Sequence, residues 1–483
     1  MVPDGADSAQ GWPQGRRVKG LAMQVSRQVS RLLGGSLLAL VAATTQALPM
    51  GEVYRNAKQR DPGYLASLKA LRVGEAQAMQ AKSLWDPTVM FEGFAGAKGL
   101  ENVTKGAHFA SRSMNNASAS DAEFKTSIYL GASARAAVTA LMPLFDEERR
   151  MQAAQLGLGE RIAEQGHRLA SIFLAQSVAE RYLDVLELER QLQLTRRFEE
   201  VLGRSDNEMR KRRGLGDVSQ LDLDESAERV SDAKSRRMQV QSQLEMARLA
   251  LRDLSGQDKG PAPLASGWSI STQAPSDFSL GFEKVRQGNP RIRLVQLQRE
   301  LAILDAQRHA KGQTGPKVHA IGQVAGEYTS GNGRYDDATS QMSQQLVGIQ
   351  LTVPLAAGGL RSAQQMESLA KADQAEAELA RVQLALEQEM RTAWHALSLA
   401  HERMPVLQQT FKLAEGRAAQ TRRSHASGAR STLELMAAEA AVVEAERAFF
   451  AESLNVVRQR TRLLALQGEF GEAELAAVQR NLQ

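Results

Sequence analysis

The sequence predicts a mainly α-helical fold with a small β part, written twice along one chain. Three observations carry this. Residues 146–213 and 360–426 are long helix-compatible stretches that hold a single proline between them, Pro405. Shorter stretches alternate apolar and polar residues, the period of a strand. Motifs also recur in the same order in both halves. VYRNAKQRDP (53–62) matches FEKVRQGNP (282–290), DPTVMFEGFAG (86–96) matches GPKVHAIGQVAG (315–326), and TALMPLFD (139–146) matches QLTVPLAAGG (350–359).

The composition agrees with long helices. Of 483 residues, 43% are hydrophobic and only 5% aromatic, which disfavours a large globular core of Phe and Trp. No cysteine occurs, so disulfides, thiolate metal sites, a Cys nucleophile and a lipid-modified N-terminal Cys are all excluded. The net charge of +5 is not clustered: residues 1–47 carry Arg16, Arg17, Lys19, Arg27 and Arg31 against Asp4 and Asp7. That gives no footprint for nucleic acid.

Residues 1–47 read as an N-terminal extension ending in a secretory signal peptide, with Arg27 and Arg31 before an apolar run from Leu32 to Ala43 and small residues up to Ala47. Twelve apolar residues span about 18 Å as helix, too short for an anchor. Met1 and Met23 both serve as candidate starts. The mature chain then has no membrane-spanning helix, so any span must be β.

The first repeat, 48–256, is expected to run helix 52–84, strands 87–97 and 124–144, long helix 146–213 and helix 218–255. In its second strand Phe124, Thr126, Ile128, Leu130 and Ala132 alternate with more polar residues and read as one apolar face. A connector follows at 257–279, rich in Pro, Gly and Ser. The second repeat, 280–470, is expected to run helix 280–312, strands 316–328 and 343–355, long helix 360–426 and helix 431–467, with Val347, Ile349, Leu351, Val353 and Leu355 as the apolar face of its last strand. The Gly-, Asn- and Ser-rich segments 98–123 and 329–342 read as turns between paired strands. Residues 471–483 form a tail.

Helices of this length approach 100 Å at about 1.5 Å per residue and must pack side by side as hairpins. Pro405 is expected to kink the second one. Four strands cannot close a membrane barrel, since the smallest use about eight. An exported chain with four amphipathic strands therefore needs copies of itself. The alternative, a soluble four-stranded sheet capped by helices, leaves the long helices unexplained.

Two glycine breaks interrupt the helical pattern: GLGDVSQLD from Gly214, and SGARSTLEL around Gly428. Gly214, Gly216 and Gly428 suit a tight reversal needing positive φ. Ser219 with Asp222, and Ser431 with Glu434, have the Ser-x-x-acid spacing of a capping box.

The chain resembles the TolC family of outer-membrane export channels over nearly all of residues 48–483, through the VYRNAKQRDP start, ALMPLFD and LTVPLAAGG where strand meets long helix, and the two glycine breaks. The resemblance implies a homotrimer whose twelve strands form one outer-membrane β-barrel in lipid. Its helices would make a hollow α-barrel in the periplasm, with an equatorial belt from the connector and C-terminal end. The implied partners are a periplasmic adaptor and an inner-membrane ABC transporter or other pump. The glycine breaks become periplasmic tips. Arg430 falls on the family's gating arginine and Asp222 on the aspartate it reaches, while Glu434 matches an acidic ring position. Ala437 and His425 depart from the family's second acidic ring and its gate tyrosine. Arg210, Lys211, Arg212 and Arg213 read either as favourable charges at a helix C-terminus or as a docking surface for the adaptor.

No enzyme is visible. The seven histidines form no HExxH pair, Gly157-Leu158-Gly159 lacks the third glycine of a dinucleotide loop, and no P-loop or GxSxG occurs. No metal or cofactor is expected. The expected role is an export duct of type I protein secretion. Small-molecule efflux uses the same duct, and a pore-free coiled-coil envelope protein is the reading of another class.

Overall fold

The structure is a computed structural model, and it describes residues 48–110, 118–261, 264, 277–312, 315–333, 336–355 and 359–482. The expected leader and most of the expected connector lie outside these residues. In chain order the elements are α1 (Met50–Lys58), α2 (Pro62–Ser83), β1 (Thr88–Ala110), β2 (Ser118–Asp146), α3 (Glu147–Gly214), α4 (Gln220–Ser255), α5 (Phe278–Gly288), α6 (Pro290–Gln307) with a π-helical turn at Arg308–Gly312, β3 (Lys317–Gly333), β4 (Asp337–Thr352), α7 (Leu360–Ala426), α8 (Thr432–Gln467) and α9 (Glu472–Leu482).

Neither short helix of the repeats is continuous. The expected helix 52–84 is broken between α1 and α2, and 280–312 between α5 and α6. The reason is an Asp-Pro and an Asn-Pro. Proline forces the preceding residue out of the helical region and is itself favoured at the first helical position. Asp61 accepts a hydrogen bond from the Tyr64 N–H at 2.7 Å, and Asn289 from the Arg291 N–H at 2.8 Å, so each caps the next helix. The expected tail contains α9, whose Leu475, Val478 and Leu482 are buried.

The strands are longer than their alternation suggests. They form one antiparallel sheet in the order β1-β2-β3-β4, and the β1–β2 ladder runs from Thr88–Leu141 out to Ala110–Ser118. Residues 98–110 and 118–123, expected as turn, are therefore strand, as are 329–333 and 337–342. Ladder hydrogen bonds override the weak intrinsic preference of Gly, Asn and Ser. Conversely, residues 353–355 lie beyond the end of β4.

The expected apolar face of β2 is also broken. A register shift between Ile128 and Leu130 puts the two on opposite sides: Ile128 is 1% exposed and Leu130 68%. One extra residue in a strand flips every side chain beyond it. From Leu130 to Met142 the even-numbered residues of β2 lie on one face, whereas Gly131, Ser133 and Ala137 are buried on the other. Side chains crowd together on the inside of a curved sheet, so the buried face is assigned as the concave one. Directly opposed residues share a face, so the register assigns Val89, Phe91, Val138, Ala140, Val324, Tyr328, Val347, Ile349 and Leu351 to the convex side. Between 88 and 98, 130 and 142, 318 and 330, and 340 and 352, Asp, Glu, Lys and Arg occur only as Glu92, Lys98, Arg135 and Glu327. All belong to the concave face by register.

The helices pack as antiparallel hairpins. α3, with 68 residues, is about 100 Å long. Gly74 of α2 faces it so closely that a Cβ there would stand 2.9 Å from the Cβ of Ala163. Gly159 is equally constrained, since an added Cβ would meet Gln77 Oε1 at 2.2 Å. The Gly157-Leu158-Gly159 run thus belongs to helix packing. The main core joins α1, the middle of α3, the C-terminal ends of α4 and α8, and α9, around Met50, Val178, Leu183, Leu251, Leu454 and Leu475. Each such side chain contributes about 1.5–3 kcal/mol by burial. α7 continues through Pro405. No helix among the described residues is long and apolar enough to cross a membrane.

Candidate functional site: the helix tips

The α3–α4 and α7–α8 reversals use the same backbone device. At the first, the Gly216 N–H donates to the Arg213 carbonyl at 3.0 Å and the Asp217 N–H to Arg212 at 3.1 Å. At the second, the Gly428 N–H donates to His425 at 3.0 Å and the Ala429 N–H to Ser424 at 2.9 Å. Both are Schellman closures, which satisfy the last helical carbonyls and need one left-handed residue. Gly216 (φ 87°) and Gly428 (φ 77°) supply it. Gly214 does not. It is the last residue of α3 and has no positive φ, because the reversal falls two residues later.

The restarting helices are capped differently. Ser431 accepts from the Glu434 N–H at 3.1 Å, and its own N–H donates to Glu434 Oε2 at 2.8 Å, a complete capping box. Ser219 accepts from the Asp222 N–H at 3.1 Å, but the Asp222 carboxylate instead accepts from the Ser219 hydroxyl at 2.7 Å. Aspartate is one methylene shorter than glutamate, so its carboxylate stops at the hydroxyl.

Arg430 donates to Glu434, four residues on, and not to Asp222. The Ser431 N–H first, and then Arg430, hold the Glu434 carboxyl below the usual carboxylate range. His425 Nε2 lies 3.1 Å from Thr432 Oγ1 and joins the two helices of the second tip. Arg430, Glu434 and Ala437 line a cavity of about 620 Å³ with Lys412, Arg417 and Ser424 of α7. One wall is thus strongly basic.

The basic run at the end of α3 is largely engaged. Arg210 pairs with Asp206 at 2.7 Å, Arg212 with Glu208 at 3.0 Å, and Arg213 donates to the Val218 carbonyl at 3.1 Å across the turn. Lys211 is exposed.

The sequence reading missed how the two tips are joined. Asp206 is buried, receives Arg210, and accepts from the Ser226 hydroxyl at 3.0 Å. Ser226 Oγ also lies 3.9 Å from Met436 Sδ of α8, beside the apolar cluster Leu202, Met209, Ala233 and Met436. The Asp206/Arg210 spacing is visible in the sequence as an ordinary i,i+4 surface pair. Only packing reveals its burial.

A family model described as outer membrane efflux protein matches residues 53–257 and 283–469. Among solved structures, the outer membrane protein VceC of Vibrio cholerae is similar at 14% identity, covering 87% of this chain and 96% of its own, with a TM-score of 0.68. The CmeC outer membrane channel of Campylobacter jejuni is similar at 12% identity, covering 91% of both chains, TM-score 0.68. The open-state MtrE outer membrane channel of Neisseria gonorrhoeae is similar at 14% identity, covering 88% of this chain and 90% of its own, TM-score 0.64. At these identities the likeness speaks to the fold. No curated protein matches.

Proposed function

The chain belongs to the outer membrane efflux protein family, and we propose that three copies form one passive export duct. Their sheets join edge to edge as a twelve-stranded barrel in outer-membrane lipid, and their hairpins form a tube in the periplasm. The observation that carries this reading is the sheet. Its convex face is free of charge between Leu130 and Met142, while all the charged residues of that band are concave. Twelve residue steps at about 3.3 Å, tilted by about 40°, span about 30 Å, the height of a membrane core. Lipid outside and water inside explain both faces. A soluble sheet capped by helices gives no reason for charges on one face only, and it leaves β1 and β4 as unpaired edges.

The tips act as the resting closure. Three copies of Arg430 and Glu434 ring the constriction, with His425 behind them. The Arg430–Asp222 link is proposed as a contact between neighbouring copies, since within one chain Arg430 turns to Glu434. Lys211 and its neighbours Arg210, Arg212 and Arg213 face a periplasmic adaptor that leads to an inner-membrane ABC transporter or other pump. The leader ends near Ala47. Protein export by type I secretion is the first reading of the cargo. Small-molecule efflux is the second, favoured by the description of the matching family.

The leader-free protein, purified in detergent, should be trimeric and conduct ions across a planar bilayer. A monomeric, water-soluble and silent protein would refute the duct. Inactivating the gene separates the cargoes: loss of one protein from the medium supports secretion, whereas increased retention of small toxic compounds supports efflux.

A further inference from the structure

We infer that the barrel wall holds a second station, remote from the tips, at which Arg135 and Phe94 transiently bind organic anions in transit. The inference rests on the proposed duct, with the concave face turned inward. Phe94, Arg135, Glu327 and Met342 form one row across the four strands, with Glu92 in the adjacent row. The other basic group is already committed. Lys98 Nζ donates to Glu327 of β3, reaching across β2. Its opposite number on β2 is Gly131, which in turn pairs with Gly331. The absence of side chains at both positions clears the way. A Cβ at Gly131 would stand 2.7 Å from the Ser330 carbonyl oxygen.

With Glu327 taken by Lys98, Arg135 has no ion pair of its own among the described residues, and neither has Glu92. Both are exposed on the concave face. Together with Gly93, Phe94, Lys98 and Glu327 they line a cavity of about 380 Å³, within the size range of small-molecule sites. Arg135 stands opposite Glu327 and feels its charge without a close contact to it, so its guanidinium can still take a carboxylate in two parallel hydrogen bonds, and the neighbouring Phe94 ring offers the apolar flank that an inorganic anion would not use. Glu92 lies two residues nearer the helical end of β1, so an arriving anion meets repulsion first and Arg135 second. Such a site holds cargo briefly without trapping it, as conduction requires. Three copies would set three guanidinium groups at one height, where low-dielectric walls focus the field.

Single-channel recording with benzoate as the probe tests this, in wild type and with the tips loosened by Arg430→Ser. In a potassium chloride gradient, Arg135→Gln should shift the reversal potential toward cation selectivity and Glu92→Gln in the opposite direction. Benzoate should reduce the wild-type current, and Arg135→Gln should weaken that block by about tenfold, the effect of losing one charge-assisted contact. Arg135→Lys should restore the reversal potential but not the full block. It also carries the test if Arg135→Gln fails to assemble. Unchanged reversal potentials and block in all three variants would overturn the station while leaving the duct intact. A wild-type protein that passes no current would overturn the duct itself.

Discussion

The two faces of the sheet can be separated by one substitution made at adjacent positions. Gln344 and Gln345 are consecutive on β4. Gln345 pairs with Val324 on the convex face, and Gln344 with Ala325 on the concave face. The convex band runs from Leu130 to Met142, so its midpoint is Ala136, in register with Gly326 and Ser343. Gln345 is two residues from Ser343, about 5 Å from the midplane once strand tilt is allowed for. An arginine facing lipid at that depth costs about 2–4 kcal/mol, so three copies cost about 6–12 kcal/mol per channel. At 1.4 kcal/mol per factor of ten, Gln345→Arg should populate the folded protomer about 30-fold to several-hundred-fold less. Gln344→Arg enters the concave side, which the proposed duct fills with water, and should be close to neutral. Urea titration of the protein folded into lipid micelles reads both. Equal destabilisation of the two variants, or a greater effect of Gln344→Arg, would refute the assignment of faces.

Four further outcomes follow from the helix ends. Gly468→Ala should lower the denaturation midpoint more than Gly428→Ala: both glycines have positive φ, but a Cβ at 468 lies 2.6 Å from the Gly288 carbonyl oxygen, and one at 428 meets nothing within 4 Å. The second change should cost only the left-handed strain, about 1–2 kcal/mol. The folded tip favours ionised Glu434, so this contribution is present above its ordinary value of 4.5 and lost as pH falls through the lower folded value. Channel conductance should rise across that acid window in wild type, and much less in Glu434→Gln. Arg430→Ser should raise single-channel conductance at neutral pH, and an unchanged conductance would remove Arg430 from the closure. Asp222→Glu should complete the first capping box and add up to about 1 kcal/mol, visible as slower amide exchange in the first turn of α4.

Much of the fold was legible because duplication repeats its own evidence. The long helices, the two reversals and the four-strand count follow from proline spacing, glycine breaks and period-two alternation. What stayed hidden depends on non-local partners. The segment 98–110 has turn-like composition and becomes strand only because residues 118–131 lie beside it. The bulge after Ile128 leaves no compositional trace, although it reverses the sidedness of the outer part of β2. The breaks before Pro62 and Pro290 were readable from the sequence, since Asp-Pro and Asn-Pro are themselves helix-start signals. At the tips, the serine caps and Gly216 and Gly428 were legible from spacing. The closure through Asp206, Ser226 and Met436 was not, because a buried acid and a surface acid look alike until a neighbouring helix covers one of them.

The two tips began as copies of one reversal, and their differences indicate unequal duties. The α3–α4 tip is tied into the body: Arg213 crosses its turn, Asp206 is buried under Arg210, and Ser226 reaches toward α8. The α7–α8 tip carries a full capping box whose glutamate also receives Arg430, so two stabilising contacts converge on one exposed carboxylate. Convergence of that kind makes an element sensitive to a single proton or a single competing cation, because both contacts depend on the same charge. The first tip has a common point too, Asp206, which takes both Arg210 and Ser226, but that carboxylate is buried and Arg213 closes the turn independently of it. If one pair of helices must stay anchored while the other swings, the anchored pair should be α3–α4 and the movable one α7–α8. The contacts at the two tips are distributed in that sense.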